Sequence, residues 1–314
     1  MGLEGGGRIA RTTQAGPAAE LAKRAPPPPS AGRSRRWLVW LGVAPFLLYA
    51  TVFLLYPSAS LVVGAFQNES GRFTLSLVKS LFQHASLDAY WTSIRLSLLT
   101  AVLGGLFGLL MAYAAVSEGS PRFIRPALTT FSGVAANFAG VPLAFAFIAT
   151  IGFTGVITGF LKDSLGIDIY DAGFSLYSFV GLSIVYLYFQ IPLMILLIVP
   201  ALDGIKREWG EAASSLGATR RQYWRRVALP ILMPSLLGAT VILFGSAFGA
   251  FATAYALTSG QINLVPVLIA QTKIGNVFSD PHYGDALALG MVVVLTVSMG
   301  LYSILQRRAA RWER

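Results

Sequence analysis

The residues best suited to recognition chemistry lie between Asp203 and Pro230. Glu211 is a carboxylate followed by two alanines, which together predict a surface where a basic partner can pair and a helix can approach closely. Gly217 predicts the end of this helix at a sharp turn. Apolar residues recur at three- and four-residue steps and predict one helical stripe through Leu202, Ile205, Trp209, Ala212 or Ala213, and Leu216.

A second short helix is predicted directly after Gly217. Thr219 and Gln222 have the spacing of a capping box, and the buried face would consist of Tyr223, Trp224 and Val227. The helical pair could form a docking surface for another protein. It could equally lie flat on lipid headgroups, an alternative favoured by Arg220, Arg221, Arg225 and Arg226.

Side chains for catalysis or metal binding are scarce. The chain has no cysteine and two histidines, His84 and His282, which fall outside the apolar stretches. Asp203 is the lone aspartate near this loop, where a lipid-headgroup transferase would need a cluster. We therefore predict no catalytic residue and no metal ligand set. A phosphate-binding G-x-x-x-x-G-K-[ST] loop is also absent from the sequence, so the chain is not expected to bind a nucleotide.

The composition predicts an integral membrane protein. Hydrophobic residues make up 55% of the chain and charged residues 12%, about half the charge of a typical soluble domain. Stretches of about 20 apolar residues can cross a bilayer as helices. We predict an all-α membrane protein with six transmembrane helices, at Trp37–Tyr56, Trp91–Val116, Ala127–Ile151, Phe174–Leu202, Leu229–Leu257 and Ala286–Leu305.

Lys and Arg predict the orientation, because basic loops are retained in the cytoplasm. Nineteen of the 24 lie on the side of the two termini and of the 117–126 and 203–228 loops, four lie on the other side, and Arg95 lies within a span. Both termini should therefore be cytoplasmic. This asymmetry accounts for the net charge of +10 without a nucleic-acid partner. Residues 1–36 are predicted to be a disordered tail and residues 307–314 a short basic end.

The same loop resembles the signature loop of the inner-membrane permease subunits of ABC importers. The resemblance rests on Glu211-Ala212-Ala213, Gly217, Val227, and Leu229-Pro230 at the family's spacing. Val227 departs from the usual isoleucine. The resemblance implies a permease domain at residues 37–306, with a coupling loop at 203–230 that contacts a separate ATPase.

Partners and location follow from this resemblance. It implies a cytoplasmic P-loop ATPase dimer that holds the ATP, a second permease subunit, and a substrate-binding protein outside a bacterial inner membrane. A heterodimer is favoured, and this chain would bind no cofactor. The alternatives are a partner-independent carrier or channel, and a six-span membrane enzyme.

Polar residues inside the predicted spans are candidates for the solute pathway, because burying them in lipid is costly. They are Asn137, Tyr186, Gln190, Ser246, Thr253 and Tyr255. Hydrogen bonding between helices is the alternative, and favoured, use of each of them. The stretch Phe248–Thr258 is similar to permeases of the polyamine, ferric-iron and phosphonate group, which implies a polyamine-like solute.

Overall fold

The computed structural model describes residues 36–68, 70–117, 119–275 and 281–309. The predicted tail, apart from Arg36, and the last five residues of the predicted basic end lie outside the described residues. The described chain is almost entirely helical, and its residues from Arg36 to Pro57 belong to a different unit from Ser58 onward.

The first helical stretch comprises α1 (Arg36–Ala50), a π-helical turn (Thr51–Leu55) and α2 (Tyr56–Gly64). It extends beyond the predicted span, and nearly all its described side chains are exposed. The π turn ends two residues before Pro57. Proline lacks the amide that an α-helix needs and clashes with the carbonyl four residues earlier, which the wider turn relieves.

Two long helices form the centre of the second unit. After the short α3 (Ser76–Ser80), α4 runs over His84–Val116, and it packs against α8 (Phe179–Asp203). Gly108 permits this contact, because a Cβ atom there would lie 2.5 Å from Met194 Cβ. Small residues thus let the two backbones approach closely.

The predicted span Ala127–Ile151 is wrong as a single helix. The structure has α5 (Ile124–Asn137), α6 (Val141–Ile151) and α7 (Val156–Leu165). Gly140 separates the first two with a φ of 76°, a left-handed conformation that favours glycine, and Pro142 follows in the first turn of α6.

The segment between α8 and the next long helix contains α9 (Arg207–Ser215) and α10 (Arg220–Tyr223). A second π-helical turn, Trp224–Ala228, joins α10 to α11 (Leu229–Phe248) and precedes Pro230. The predicted span Leu229–Leu257 is also wrong as one helix, because the chain breaks at Gly249 and Ala250 before α12 (Phe251–Thr258).

The remaining helices are α13 (Val265–Ala270), a π-helical turn (Gln271–Gly275) and α14 (Pro281–Ala309). Six helical stretches of the described chain are long and apolar enough to cross a membrane. Their bounds are Gly42–Gly64, His84–Val116, Val141–Leu165, Phe179–Asp203, Arg220–Phe248 and His282–Arg307. The predicted all-α class and the number of spans are confirmed, although the third span is displaced towards α7.

The buried core of the second unit is centred on α8. One cluster surrounds Tyr186 and Phe189, with side chains from α6 and α12. The other surrounds Met194 and Ile198, with side chains from α4 and α11. Because α8 packs against α5, α6 and α11, it positions the broken span that precedes it and the broken span that follows it.

Candidate functional site

The segment after α8 begins at a fixed point. The Arg125 guanidinium at the start of α5 pairs with the Asp203 carboxylate at the end of α8. The helix stops there and restarts at Arg207, so the prediction of one stripe from Leu202 to Leu216 is wrong. Leu202 is buried in the core, whereas Leu216 is 88% exposed.

Helix α9 presents the predicted recognition residues on its surface. Glu211 and Ala212 are exposed, and Ala213 is half-buried. The Glu211 carboxylate accepts a hydrogen bond from Arg207 Nε at 3.0 Å, one turn earlier. Both of these side chains are more than half exposed. The carboxylate is therefore held in place but open to a partner.

The predicted turn and second helix start are confirmed. Gly217 has a φ of 76°, and its amide donates to the Ser214 carbonyl at 2.9 Å. The next helix starts with the capping box, in which the Thr219 hydroxyl accepts from the Gln222 amide at 3.3 Å. A Cβ at Gly217 would be strained by the backbone conformation, although the space around it is open.

Helix α10 is attached to the end of α4. Arg220 Nη2 donates to the Tyr113 hydroxyl at 2.8 Å. The Trp224 ring contacts the same tyrosine edge-on, with ring centroids 4.8 Å apart. Leu229 and Pro230, the last two motif residues, are exposed at the start of α11. The helical pair is thus supported from one side by the spans and open on the other.

A second group of predicted residues joins the two broken spans. Thr253 Oγ1 accepts a hydrogen bond from the Gly140 amide at 2.8 Å. The Tyr186 hydroxyl donates to the Ala250 carbonyl at 2.7 Å. Both side chains are almost fully buried. They satisfy backbone groups that the helix breaks release, as burial in a membrane requires.

Gln190 lies in the middle of α8 and is fully buried. Its Nε2 atom donates to the Leu243 carbonyl at 3.1 Å and contacts Thr100 Oγ1 at 3.4 Å. Its Oε1 atom has no hydrogen-bond partner within the described part of the chain. Gln190 therefore links α4, α8 and α11.

The other three predicted pathway residues are exposed. Asn137 ends α5 and bonds back to the Gly133 carbonyl at 2.8 Å. Tyr255 is 46% exposed and stacks on Phe251. Ser246 lies on an exposed part of α11. The structure thus separates the six candidates into three that face an open surface and three that join helices.

One buried ionic cluster was missed from the sequence. Asp285, predicted to lie in a loop, is in the first turns of α14 and is 7% exposed. Its carboxylate accepts from Lys273 Nζ at 2.7 Å and lies 3.2 Å from His282 Nδ1. The three-residue spacing of His282 and Asp285 in a helix was the available signal.

Comparison with known proteins agrees with the six-span fold. Residues 37–311 match the family described as binding-protein-dependent transport system inner membrane component. A probable sulfate transport system permease protein cysT of Nephroselmis olivacea is 28% identical over 255 residues, covering 79% of this chain and 82% of that protein. The sulfate permease CysW of Synechococcus elongatus is 24% identical over 280 residues, covering 88% and 92% of the two chains.

Solved structures share the fold. A chain of a bacterial ABC transporter involved in import of the polysaccharide alginate superimposes with a TM-score of 0.67 at 19% identity, covering 88% of this chain and 96% of that one. A second structure of a bacterial alginate transporter, with its oligosaccharide-bound periplasmic protein, gives a TM-score of 0.66.

These comparisons do not support the polyamine-like solute, because the sequence relatives described above are named as sulfate permeases. They do support a transport role, since the match covers most of the chain and includes the segment from Glu211 to Pro230. The chain belongs to the inner membrane component family of binding-protein-dependent transport systems, and it is a multi-pass permease subunit of an ABC importer rather than an enzyme.

Proposed function

We propose that this permease is driven by a separate cytoplasmic P-loop ATPase dimer that docks on α9. The observation that carries this proposal is the exposed Glu211-Ala212 pair on a short helix that ends at a left-handed glycine. The small alanine allows a cleft to close around the helix, and the carboxylate can pair with a basic group of the ATPase. ATP would be bound by the ATPase and not by this chain.

The orientation is part of the same proposal. The Arg125–Asp203 pair and α9 lie at the ends of spans whose flanking segments carry most of the Lys and Arg. Basic segments favour the cytoplasm, so α9 and both termini are assigned to the cytoplasmic side. The membrane is that of a bacterial-type cell, as for the bacterial relatives.

A second permease subunit would complete the pathway. Escherichia coli has two differently named sulfate permeases, CysT and CysW, and this chain is 26% and 25% identical to them. Similarity to both supports a pair of related but different subunits, that is, a heterodimer. A substrate-binding protein on the outer face would deliver the solute.

The solute we propose is sulfate or a similar inorganic oxyanion, because the relatives are named for sulfate transport. Asn137, Ser246 and Tyr255 would line the pathway, since they expose hydrogen-bond donors. Tyr186, Gln190 and Thr253 would instead hold the broken helices in register, because their polar groups bond to neighbouring helices.

Co-purification tests the docking proposal. The full chain is extracted from native membranes in mild detergent, and accompanying proteins are identified by mass spectrometry. We expect an ATPase, a second six-span permease and a binding protein with the wild type. Glu211→Lys should lose the ATPase, whereas Glu208→Lys, on the exposed first turn of the same helix, should retain it. Retention by both variants would refute docking through Glu211.

Cysteine labelling tests the orientation, because the chain has no native cysteine. Single cysteines are placed at Ser117, after α4, and at the exposed Ala172, between α7 and α8. A membrane-impermeant maleimide added to intact spheroplasts should label Ala172→Cys and spare Ser117→Cys. The reverse pattern would overturn the assignment of α9 to the cytoplasm.

A further inference from the structure

A cavity on the surface of the α10 segment is lined by basic side chains. Its volume is about 590 Å³, and it is bounded by Thr219, Arg221, Gln222, Arg225 and Arg226. All three arginines are exposed. We call this site the arginine cavity.

The helix geometry explains why three guanidinium groups converge. Arg221 and Arg225 are four residues apart and share a face of a regular helix. Arg226 would normally point away from that face. It lies within the π-helical turn Trp224–Ala228, where the Leu229 amide bonds to the Trp224 carbonyl five residues earlier, so the regular α-helical phase does not hold there and Arg226 lines the same cavity as Arg221.

The cavity has an excess of positive charge. Among the described residues, the ion pairs of arginine involve Arg125 and Arg207, and none involves the three arginines of the cavity. The guanidinium of the nearby Arg220 donates a hydrogen bond to the neutral Tyr113 hydroxyl. Three close like charges repel one another, and a bound anion would remove that repulsion.

The position of the cavity indicates which anion is available. The arginines lie at the first turns of the candidate span Arg220–Phe248, and Arg226 precedes Leu229, in the apolar part of that span, by three residues, or about 4.5 Å along a helix axis. That distance is within the headgroup layer, which is roughly 5–7 Å thick on each side of the hydrocarbon core. Trp224 and Tyr113 pack together at the same level, as aromatic residues do at a membrane interface.

We propose that the arginine cavity binds the phosphate group of an anionic phospholipid. The proposal goes beyond the transport function and uses the proposed orientation only to assign the lipid to the cytoplasmic leaflet. The helical pair then has two surfaces, because Glu211 on α9 is directed to a protein partner and the arginines are directed to lipid. Arginine forms bidentate hydrogen bonds with phosphate, which suits this role.

Native mass spectrometry of the purified full chain tests the proposal. Delipidated protein is titrated with phosphatidylglycerol, and with phosphatidylcholine as the zwitterionic comparison. We expect preferential binding of phosphatidylglycerol, with Arg225→Gln/Arg226→Gln weakening it about tenfold or more, since each arginine near an anionic surface contributes several-fold. The matched control is Arg122→Gln/Arg307→Gln, which removes two exposed charges elsewhere and should change binding less than twofold.

Three outcomes would overturn the proposal. The first is equal loss of phosphatidylglycerol in both double variants, which would indicate a general charge effect. The second is tight binding of inorganic phosphate or sulfate that displaces the lipid, which would assign the cavity to a free anion. The third is loss of ATPase co-purification in Arg225→Gln/Arg226→Gln with unchanged lipid binding. Lipid binding in detergent requires no transport, so failure of the transport proposal would leave this test intact.

Discussion

Thr253 accepts a hydrogen bond from the amide of Gly140 at 2.8 Å. Gly140 lies at the break between α5 and α6, and Thr253 lies in α12, just after the break that follows α11. The two residues are 113 positions apart in the chain. A released backbone amide is thus satisfied by a side chain of the other broken span. This bond couples the positions of two interrupted helices.

Thr253→Val should destabilise the protein, because valine has a similar shape but cannot accept the Gly140 hydrogen bond. The expected loss of unfolding free energy is about 1 kcal/mol, the lower end of the cost of an unpaired buried amide, because the Gly140 amide is only partly buried. The measurement is unfolding of the purified protein in a denaturing detergent. Thr150→Val is the control, since Thr150 is exposed and bonds only within its own helix. An equal loss in both variants would contradict the account.

Gly108→Ala should destabilise the contact between α4 and α8. The new methyl group would lie 2.5 Å from Met194 Cβ and 2.8 Å from the Ile191 carbonyl oxygen. Overpacking of this kind costs about 1–3 kcal/mol. Gly133→Ala is the matched control, because a Cβ there meets nothing within 4 Å. Thermal unfolding midpoints should fall for the first variant alone, and an unchanged midpoint for Gly108→Ala would show that the helices are not in close contact.

The loop after α7 should lose the stabilising Lys162–Asp168 ion pair in acid. A hydrogen bond from Lys162 Nζ at 2.8 Å, and then the amides of Asp171 and Tyr170, lower the pKa of Asp168 below its ordinary value of 3.8. A carboxylate whose pKa is lower in the folded than in the unfolded state stabilises the fold at pH values above its unfolded-state pKa. This contribution is lost as the pH falls through the folded-state pKa.

The measurement is the thermal midpoint of the wild type and of Asp168→Asn as a function of pH. The wild type should be more stable at pH 6, and the difference should shrink as the pH falls through the lowered folded-state pKa of Asp168. Asp163→Asn, at an exposed neighbouring position, controls for loss of charge. A wild-type advantage that persists unchanged into strong acid would contradict the role of Asp168.

Local features were predictable from the sequence because their causes are local. Long apolar runs predicted the number of spans, and Thr219 with Gln222 predicted the start of α10. The span around Gly140 was predicted as one helix because apolar residues continue on both sides of it. Gly140 and Pro142, two residues later, were the available signal for the break.

The roles of the polar residues in the spans depend on distant contacts. The Tyr186 hydroxyl donates a hydrogen bond to the Ala250 carbonyl, 64 positions away in the chain. Hydropathy alone cannot distinguish a side chain that joins two helices from one that binds the solute. The split into exposed Asn137, Ser246 and Tyr255 and buried Tyr186, Gln190 and Thr253 therefore required the fold. The polyamine-like solute, which the sequence relatives do not support, was inferred from Phe248–Thr258, and the buried side chains of this stretch pack α12 into the core.

The most direct test of the account is a crosslink from α9 to the ATPase. The cysteine-free chain carries Ala212→Cys, and a short thiol-to-amine crosslinker is applied to inside-out membrane vesicles. The account predicts a crosslinked product that contains the P-loop ATPase, strong at position 212 and absent from the control Phe123→Cys, which is exposed in the segment before α5. Failure of Ala212→Cys to capture the ATPase, in membranes where the ATPase co-purifies with the chain, would contradict α9 as the coupling surface.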